Sequence, residues 1–235
     1  MKEYKVIISA ALLAVSVVIL GLCIKGGIDR IADRDRQVTV RGLCEKEVQA
    51  NKVTWPVVTK EMGNDLPTIY DNIQKNNQAL LAFFKQNGIE ESEISVNAPQ
   101  VTDNMANSYD ANRVVYRYSV TNVMVITSSK IDKIRSLMTK QAELLRQGIA
   151  VVAGDWNYPT TYEYTDLNSI KPEMIATATA NARQAADKFA ADSHSNLGKI
   201  KTASQGQFSI EDRDQYTPFI KTVRVVTYIT YELKD

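Results

Sequence analysis

A single histidine, His194, and two cysteines, Cys23 and Cys44, leave this 235-residue chain almost nothing with which to build a zinc site. Cys44 is the only cysteine outside an apolar N-terminal run, so no disulfide can form within the remainder of the chain. Charge of one sign is missing too. Lys and Arg number 28 against 27 Asp and Glu, a net of +1, and removing the first 25 residues leaves 25 basic and 26 acidic side chains. No sequence-wide basic field exists to hold a phosphate backbone, which argues against a nucleic-acid partner. Six prolines and ten glycines are too few for a collagen-like or linker-like chain. The sequence also lacks a phosphate-binding glycine loop, a nucleophile elbow, a zinc helix and a paired-thiol motif. What it does hold is 44% hydrophobic and 23% charged residues, ordinary globular usage rather than that of a disordered chain.

The longest apolar run is VIISAALLAVSVVILGLCI at residues 6–24, 19 residues without a charge. As a helix it would be about 28 Å long, close to one hydrocarbon core. A secretory h-region is shorter, and Leu22, Cys23, Ile24 and Lys25 make poor cleavage flanks. Leu22 is not the small residue that would precede a lipidated cysteine. The reading is therefore an uncleaved signal anchor over residues 1–25, with a cleaved peptide as the alternative. Lys2 and Lys5 precede the run while Lys25, Arg30, Arg34 and Arg36 follow it, so charge alone does not orient it. Residues 26–37 read as a polar juxtamembrane linker, and about 200 residues remain for one large domain or two small, interlocked ones.

Along residues 38–235, alternation predicts strands at 37–42, with Val38 and Val40 on one face, and at 53–59, where Pro56 marks an edge or bulge. Asp65 is placed to cap a helix with Pro67 in its first turn, striped by Ile69, Ile73, Leu80, Phe83 and Phe84 and closed at Asn87-Gly88. A short strand at 93–101 and a polar loop at 104–112 precede the longest strand, 113–127. There Val114, Tyr116, Tyr118, Val120, Met124 and Ile126 share a face. A second helix opens at Ser128 or Ser129, runs along Ile131, Ile134, Met138, Gln141 and Leu145, and ends at Gly148. A strand rich in Trp and Tyr is expected at 149–165. The third helix has Pro172 near its start and a face of Ile175, Ala178, Ala182, Ala185 and Phe189, whose alanines permit close packing. Strands at 200–209 and 220–233 finish the chain. Helices interrupt pairs of strands, which predicts an α+β fold. Its expected form is a largely antiparallel sheet covered by about three helices in two layers, preceded by one N-terminal transmembrane or signal helix.

Four segments in this order carry a resemblance. They are VTVRGLCEKEVQANKVTW at 38–55, FFKQNGIEESEI at 83–94, VVYRYSVTNVMVITSSKIDKIRSLM at 114–138, and ATATANARQAADKFAADSHSNLGKIKTASQG at 176–206. Together they resemble the SIMPL-domain family, the domain of unknown function 541 of bacterial periplasmic and membrane-anchored proteins. Trp55-Pro56 and GNDLP at 63–67 depart from its usual pattern. The resemblance implies an α+β fold, a tendency to oligomerise, and an association with envelope and oxidative stress. It also implies a location outside the cytoplasm; with the anchor read at 6–24, the expectation is a single-pass inner-membrane protein whose C-terminal domain lies in the periplasm. It supplies no catalytic motif.

The sequence nominates no catalytic, cofactor-binding or metal residue. His194, in DSHSN, reads as a helix-end residue, with general-base work as the alternative. Glu211-Asp212-Arg213-Asp214 reads as a hairpin loop, an oligomer contact or a hard-cation site, and Asp103 and Asp110 as a polar loop. Cys44 is a small buried side chain or an oxidisable thiol. Trp156, Tyr158, Tyr162, Tyr164, Tyr228 and Tyr231 form a sheet face or line a carbohydrate or peptide groove. In the last strand Val223, Val225, Ile229 and Leu233 are assigned to the core. Arg224, Val226, Tyr228 and Thr230, on the opposite face, are the candidate oligomer surface. The expected function is a non-enzymatic, membrane-anchored envelope protein that self-associates or binds a partner. The alternative is a periplasmic enzyme acting on an envelope polymer. The expected partners are the membrane, through residues 6–24, and further copies of the chain.

Overall fold

The structure is a computed structural model that describes residues 13–27, 36–106, 115–152 and 156–234. Helix α1 covers residues 13–27. Strands β1 (Gln37–Gln49) and β2 (Lys52–Gly63) lead to helix α2 (Leu66–Gln86) and a 3-10 turn at Glu91–Glu93. Strands β3 (Ile94–Val96), β4 (Gln100–Asp103) and β5 (Tyr118–Ser128) precede helices α3 (Ile131–Thr139) and α4 (Gln141–Arg146). Short strands β6 (Val151–Val152) and β7 (Thr161–Glu163) are followed by helix α5 (Leu167–Asp192). Strands β8 (Asn196–Gln205), β9 (Ser209–Asp212) and β10 (Ile220–Lys234) complete the order. The chain is α+β, as expected, but its strands divide into two sheets rather than one. Of the expected span at 6–24, residues 6–12 lie outside the described residues, as do 28–35 of the linker. Among the described residues no helix is long and apolar enough to cross a membrane. Asp110, Arg113 and Val114 are also outside them.

Two compact units result. The first comprises Met1–Lys46, Asn168–Ser209 and Val223–Asp235, the second Glu47–Leu167 and Ile210–Thr222. The sheet of the first has the order β1-β10-β8. The β10–β8 pairing is antiparallel, with irregularities on either side of Tyr231. The β1–β10 pairing is antiparallel as well. The Leu233 amide donates to the Arg36 carbonyl, while Thr39 meets Thr230 and Glu45 meets Arg224, so the two numberings run in opposite directions.

Helix α5 is seated on this sheet through small side chains. Met174, Ala178, Ala182, Ala186 and Ala190 are buried along it, and Ala182 and Ala186 pack with Val38, Ile229 and Tyr231. The strand beneath is glycine where the helix comes nearest. A Cβ on Gly42 would lie 1.8 Å from the Ala178 carbonyl oxygen and 2.8 Å from the Ala182 Cβ. Such proximity lets the Asn181 amide donate to the Leu43 carbonyl at 2.8 Å. The buried line steps by four residues, not by the alternating three and four read from the sequence, so Ala185 and Phe189 are exposed, Phe189 by 52%. Each step of four advances the contact by about 40° round the helix, which follows a sheet that twists underneath. The helix ends in a Schellman arrangement. The Ser195 amide donates to the Ala190 carbonyl and the His194 amide to the Ala191 carbonyl, with His194 in the left-handed region at φ 52°.

In the second unit β2 and β5 form an antiparallel ladder from Val53↔Ser128 to Gly63↔Tyr118. On the far side of β5 run β3 and β4, where one continuous strand was expected. The break at 97–99 contains Pro99, which has no amide hydrogen for the ladder. Asp65 caps α2 as read, accepting from the Thr68 amide, and Gly88 closes it at φ 76°. The expected second helix is broken at Lys140 into α3 and α4. Its buried side is Ile131, Ile134, Leu137 and Leu144, while Leu145, assigned to the stripe, is 59% exposed. The break shifts the helical phase, and Leu144 takes the inward place. These helices cover β2 and β5 over Val57, Met124 and Ile126, with Trp55 edge-on to Phe84 at 5.6 Å. Beside this core lies a polar layer. Asn122, fully buried on β5, donates to Asn77 of α2 at 2.8 Å and to its cross-strand neighbour Thr59 at 3.3 Å.

Two outcomes follow from the seating and the ending of α5. Ala182→Leu inserts three heavy atoms into a filled layer and should cost about 1–3 kcal/mol, and Gly42→Ala should reach the upper end of that range or beyond. An unchanged urea midpoint in Gly42→Ala would place the helix elsewhere. At the helix end, His194→Gly relieves a left-handed backbone on a residue with a Cβ and should raise stability by about 1 kcal/mol, read as a higher thermal midpoint.

Candidate functional site

The outer edge of β2, away from β5, is interrupted. Residues 58–59 pair with 152–151 of β6, and residues 52–54 pair with 163–161 of β7. Between these, three residues of β2, 55–57, face an excursion of which residues 156–160 are described. The expected strand at 149–165 is thus split. Prolines occur on both sides of the split, Pro56 in β2 and Pro159 opposite, and neither can donate to a ladder.

A cavity of about 600 Å³ opens at this place. Trp55 and Pro56 come from β2, Met138 and Gln141 from α3 and α4, Val151 and Val152 from β6, and Trp156, Tyr158, Pro159 and Thr160 from the excursion. Among the described residues, no side chain that lines it is charged. Trp55 is anchored in the core at 4% exposure, whereas Trp156 is 96% exposed. The Tyr158 hydroxyl donates to the Gln100 side chain at 3.2 Å, which fixes that ring at the mouth. A smaller, almost wholly apolar cavity of about 230 Å³ lies between α2 and the β4–β5 hairpin, lined by Leu66, Ile69, Ile73, Pro99 and Val101 among others.

The aromatic residues singled out in the sequence do not share one place. Trp156 and Tyr158 meet at the larger cavity. Tyr162 is half-buried beside it, edge-on to Phe219 at 6.2 Å, over which Arg135 lies at 3.6 Å. Burial pushes the Tyr162 phenol up, partly opposed by the Arg135 charge. Tyr164 is half-buried. Tyr228 and Tyr231 belong to the first unit and point to opposite sides of β10. Trp55 and Pro56, read as strand residues, were missed as cavity wall. Their pairing with the 156–160 segment is set by strand register, which carries no local signal.

The outer face of the first unit's sheet carries the other candidate residues. Alternation along β10 buries Val223, Val225 and Ile229 and turns out Arg224, Val226, Tyr228 and Thr230, as read. From β1, Thr39, Arg41, Leu43 and Glu45 lie on the same face. Cross-strand pairs link the two rows: Thr39 with Thr230 at 2.9 Å, Arg41 over the Tyr228 ring at 5.2 Å, and Glu45 with Arg224 at 3.3 Å. Cys44, on the inner side of β1, is half-buried and in no disulfide.

Several side chains of the charged motifs pair within the chain where they are described. Glu211 and Asp212, expected in a loop, end β9, and Arg213 and Asp214 begin its connection to β10, with Asp212 paired to the largely buried Lys221 and Arg213 to Glu47 at 3.3 Å. Asp214 accepts from the Thr217 hydroxyl, the Arg213 guanidinium and the Tyr216 and Thr217 amides. These bonds, Thr217 first and Arg213 next, hold its carboxyl down to about 2. Asp103 accepts from Arg117 across the base of the β4–β5 connection at 3.1 Å, and that bond chiefly lowers its pKa. Among the described residues no three His, Cys, Asp or Glu side chains converge as a metal set.

These features define an antiparallel α+β domain protein with exposed aromatic and mixed-charge surfaces. A family model for SIMPL, protein of unknown function (DUF541), matches residues 38–226, and the chain belongs to that family. No curated protein matches it.

Asp214 supplies a pH test of the hairpin. Its folded carboxyl is lowered from the usual ~3.9, so its contribution is present above pH ~4 and is lost as pH falls through about 2. Asp214→Ala should therefore lower the thermal midpoint at neutral pH, and the gap from wild type should close as pH drops from 4 to 2. A gap constant over that interval would remove the charge from the argument.

Proposed function

We propose that this chain is a non-catalytic cell-envelope protein, anchored in the inner membrane through residues 6–24 with its C-terminal domain in the periplasm, that self-associates through the outer face of β1 and β10. The observation that carries the reading is the composition of that face. Arg41, Tyr228 and Arg224 provide large, hydrogen-bonding side chains of the kind enriched at interfaces, and Leu43 and Val226 provide apolar area between them. The face holds both Arg224 and Glu45, so a second copy of the same surface offers each its opposite charge. The two outer strands, β1 and β8, end the sheet and leave edges to which another chain can add. The uncharged run at 6–24 and the family's membrane-anchored members support the anchor. The association of the family with envelope and oxidative stress belongs to the same proposal.

The full chain, expressed in bacteria, should sediment with the inner membrane, and protease added to spheroplasts should remove the domain. Extracted in a mild detergent, it should give an oligomer by native mass spectrometry. Tyr228→Glu places a carboxylate in the proposed contact and should shift the mass to monomer without lowering the thermal midpoint. A wild-type monomer at every concentration sinks self-association, and an unchanged oligomer in the variant sinks this face.

A further inference from the structure

We propose that the cavity at the interrupted edge of β2 is a binding site for a neutral sugar, free or at the end of a polysaccharide. The fully presented Trp156 indole is the first ground. A tryptophan exposed by 96% at the rim of a cavity offers a large π face to a ligand and takes no part in the core. The faces of sugar rings present C–H groups, slightly positive, which pack on the negative face of an aromatic ring. Trp55, its partner across the cavity, is held in the core against Phe84, so one wall is rigid and the other open.

Charge is the second ground. Among the described residues, none of the ten that line the cavity is ionisable in the neutral range, so none of these compensates a phosphate, carboxylate or ammonium drawn inside. The polar groups that are present are the third. The Gln141 amide and the Thr160 hydroxyl both donate and accept, and the indole of Trp156 donates. Sugar hydroxyls need donors and acceptors together. A proline-rich peptide, the other ligand that aromatic grooves take, presents carbonyls and almost no N–H, so the acceptors of Gln141 and Thr160 would be left without partners. The volume, about 600 Å³, lies within the range of small-molecule sites.

The chain has two tryptophans, and both line this cavity. Its tryptophan fluorescence therefore reports on this site alone. Full-length protein in detergent should be titrated with neutral trisaccharides built on glucose, galactose or N-acetylglucosamine, and separately with an uncharged proline-rich decapeptide. A saturable, blue-shifted emission with at least one trisaccharide is the expected result. Trp156→Ala should weaken that binding at least tenfold at an unchanged thermal midpoint, and Trp156→Tyr should restore part of it, with calorimetry as the readout for both variants. Response to the peptide and to no sugar would overturn the sugar assignment in favour of a peptide site. No saturation by any of the probes up to about 10 mM, beyond the weak end of specific affinity, would overturn the site itself. Sugar binding that survives Trp156→Ala would overturn the role of this cavity.

Discussion

The first unit depends on how closely α5 approaches β1. A helix normally lies about 8–10 Å from what it packs on, held off by its own side chains. Here Ala178 and Ala182 stand over Gly42, and the backbones nearly touch. The hydrophobic area each alanine removes from water is small, so the contact draws on many short dispersion contacts and on the Asn181–Leu43 hydrogen bond that proximity allows. Any Cβ at position 42 would collide with helix backbone, which cannot move aside as a side chain can. One helix satisfies one face of this sheet. The other face is left to the cross-strand pairs of Thr39, Arg41 and Glu45 with Thr230, Tyr228 and Arg224.

The second unit is organised differently. Its helices α2, α3 and α4 bring large residues, Phe84, Leu80, Ile134 and Leu144, onto a long ladder. Bulk replaces close approach, and the polar layer of Asn77, Asn122 and Thr59 fixes α2 against the strands through directional bonds where apolar packing would tolerate sliding. The ladder is unbroken toward β5 and broken on its other edge, where proline removes donors from both sides. The cavity is a consequence of that break. The same backbone chemistry that ends pairing also sets two indoles at one opening.

Much of the local structure was legible because its signals are local. Asp65 and Pro67 start α2 where capping chemistry places them, and Gly88 and Gly148 stop helices through positive φ. The alternation along β10 assigned its two faces residue by residue. The errors arose where a neighbour decides. The α5 stripe was phased on Ile175 and Phe189, the large apolar residues, but the twisted sheet and Gly42 select the alanines four apart. Leu145 fell out of its stripe because the helix breaks at Lys140. The strand expected at 149–165 had the right composition, yet its pairing to β2 fails over the prolines.

Composition, alternation and capping residues were sufficient to determine that this chain is α+β, where most of its helices begin and end, and which side of the last strand is buried. They act over a few residues, and the chain carries them wherever it goes. The division of the strands into two sheets, the seat of α5 on Gly42, the meeting of Trp55 with Trp156, and the pairing of Arg41 with Tyr228 were decided only by tertiary structure. The last three join residues about a hundred or more positions apart, and register, twist and close packing bring them together.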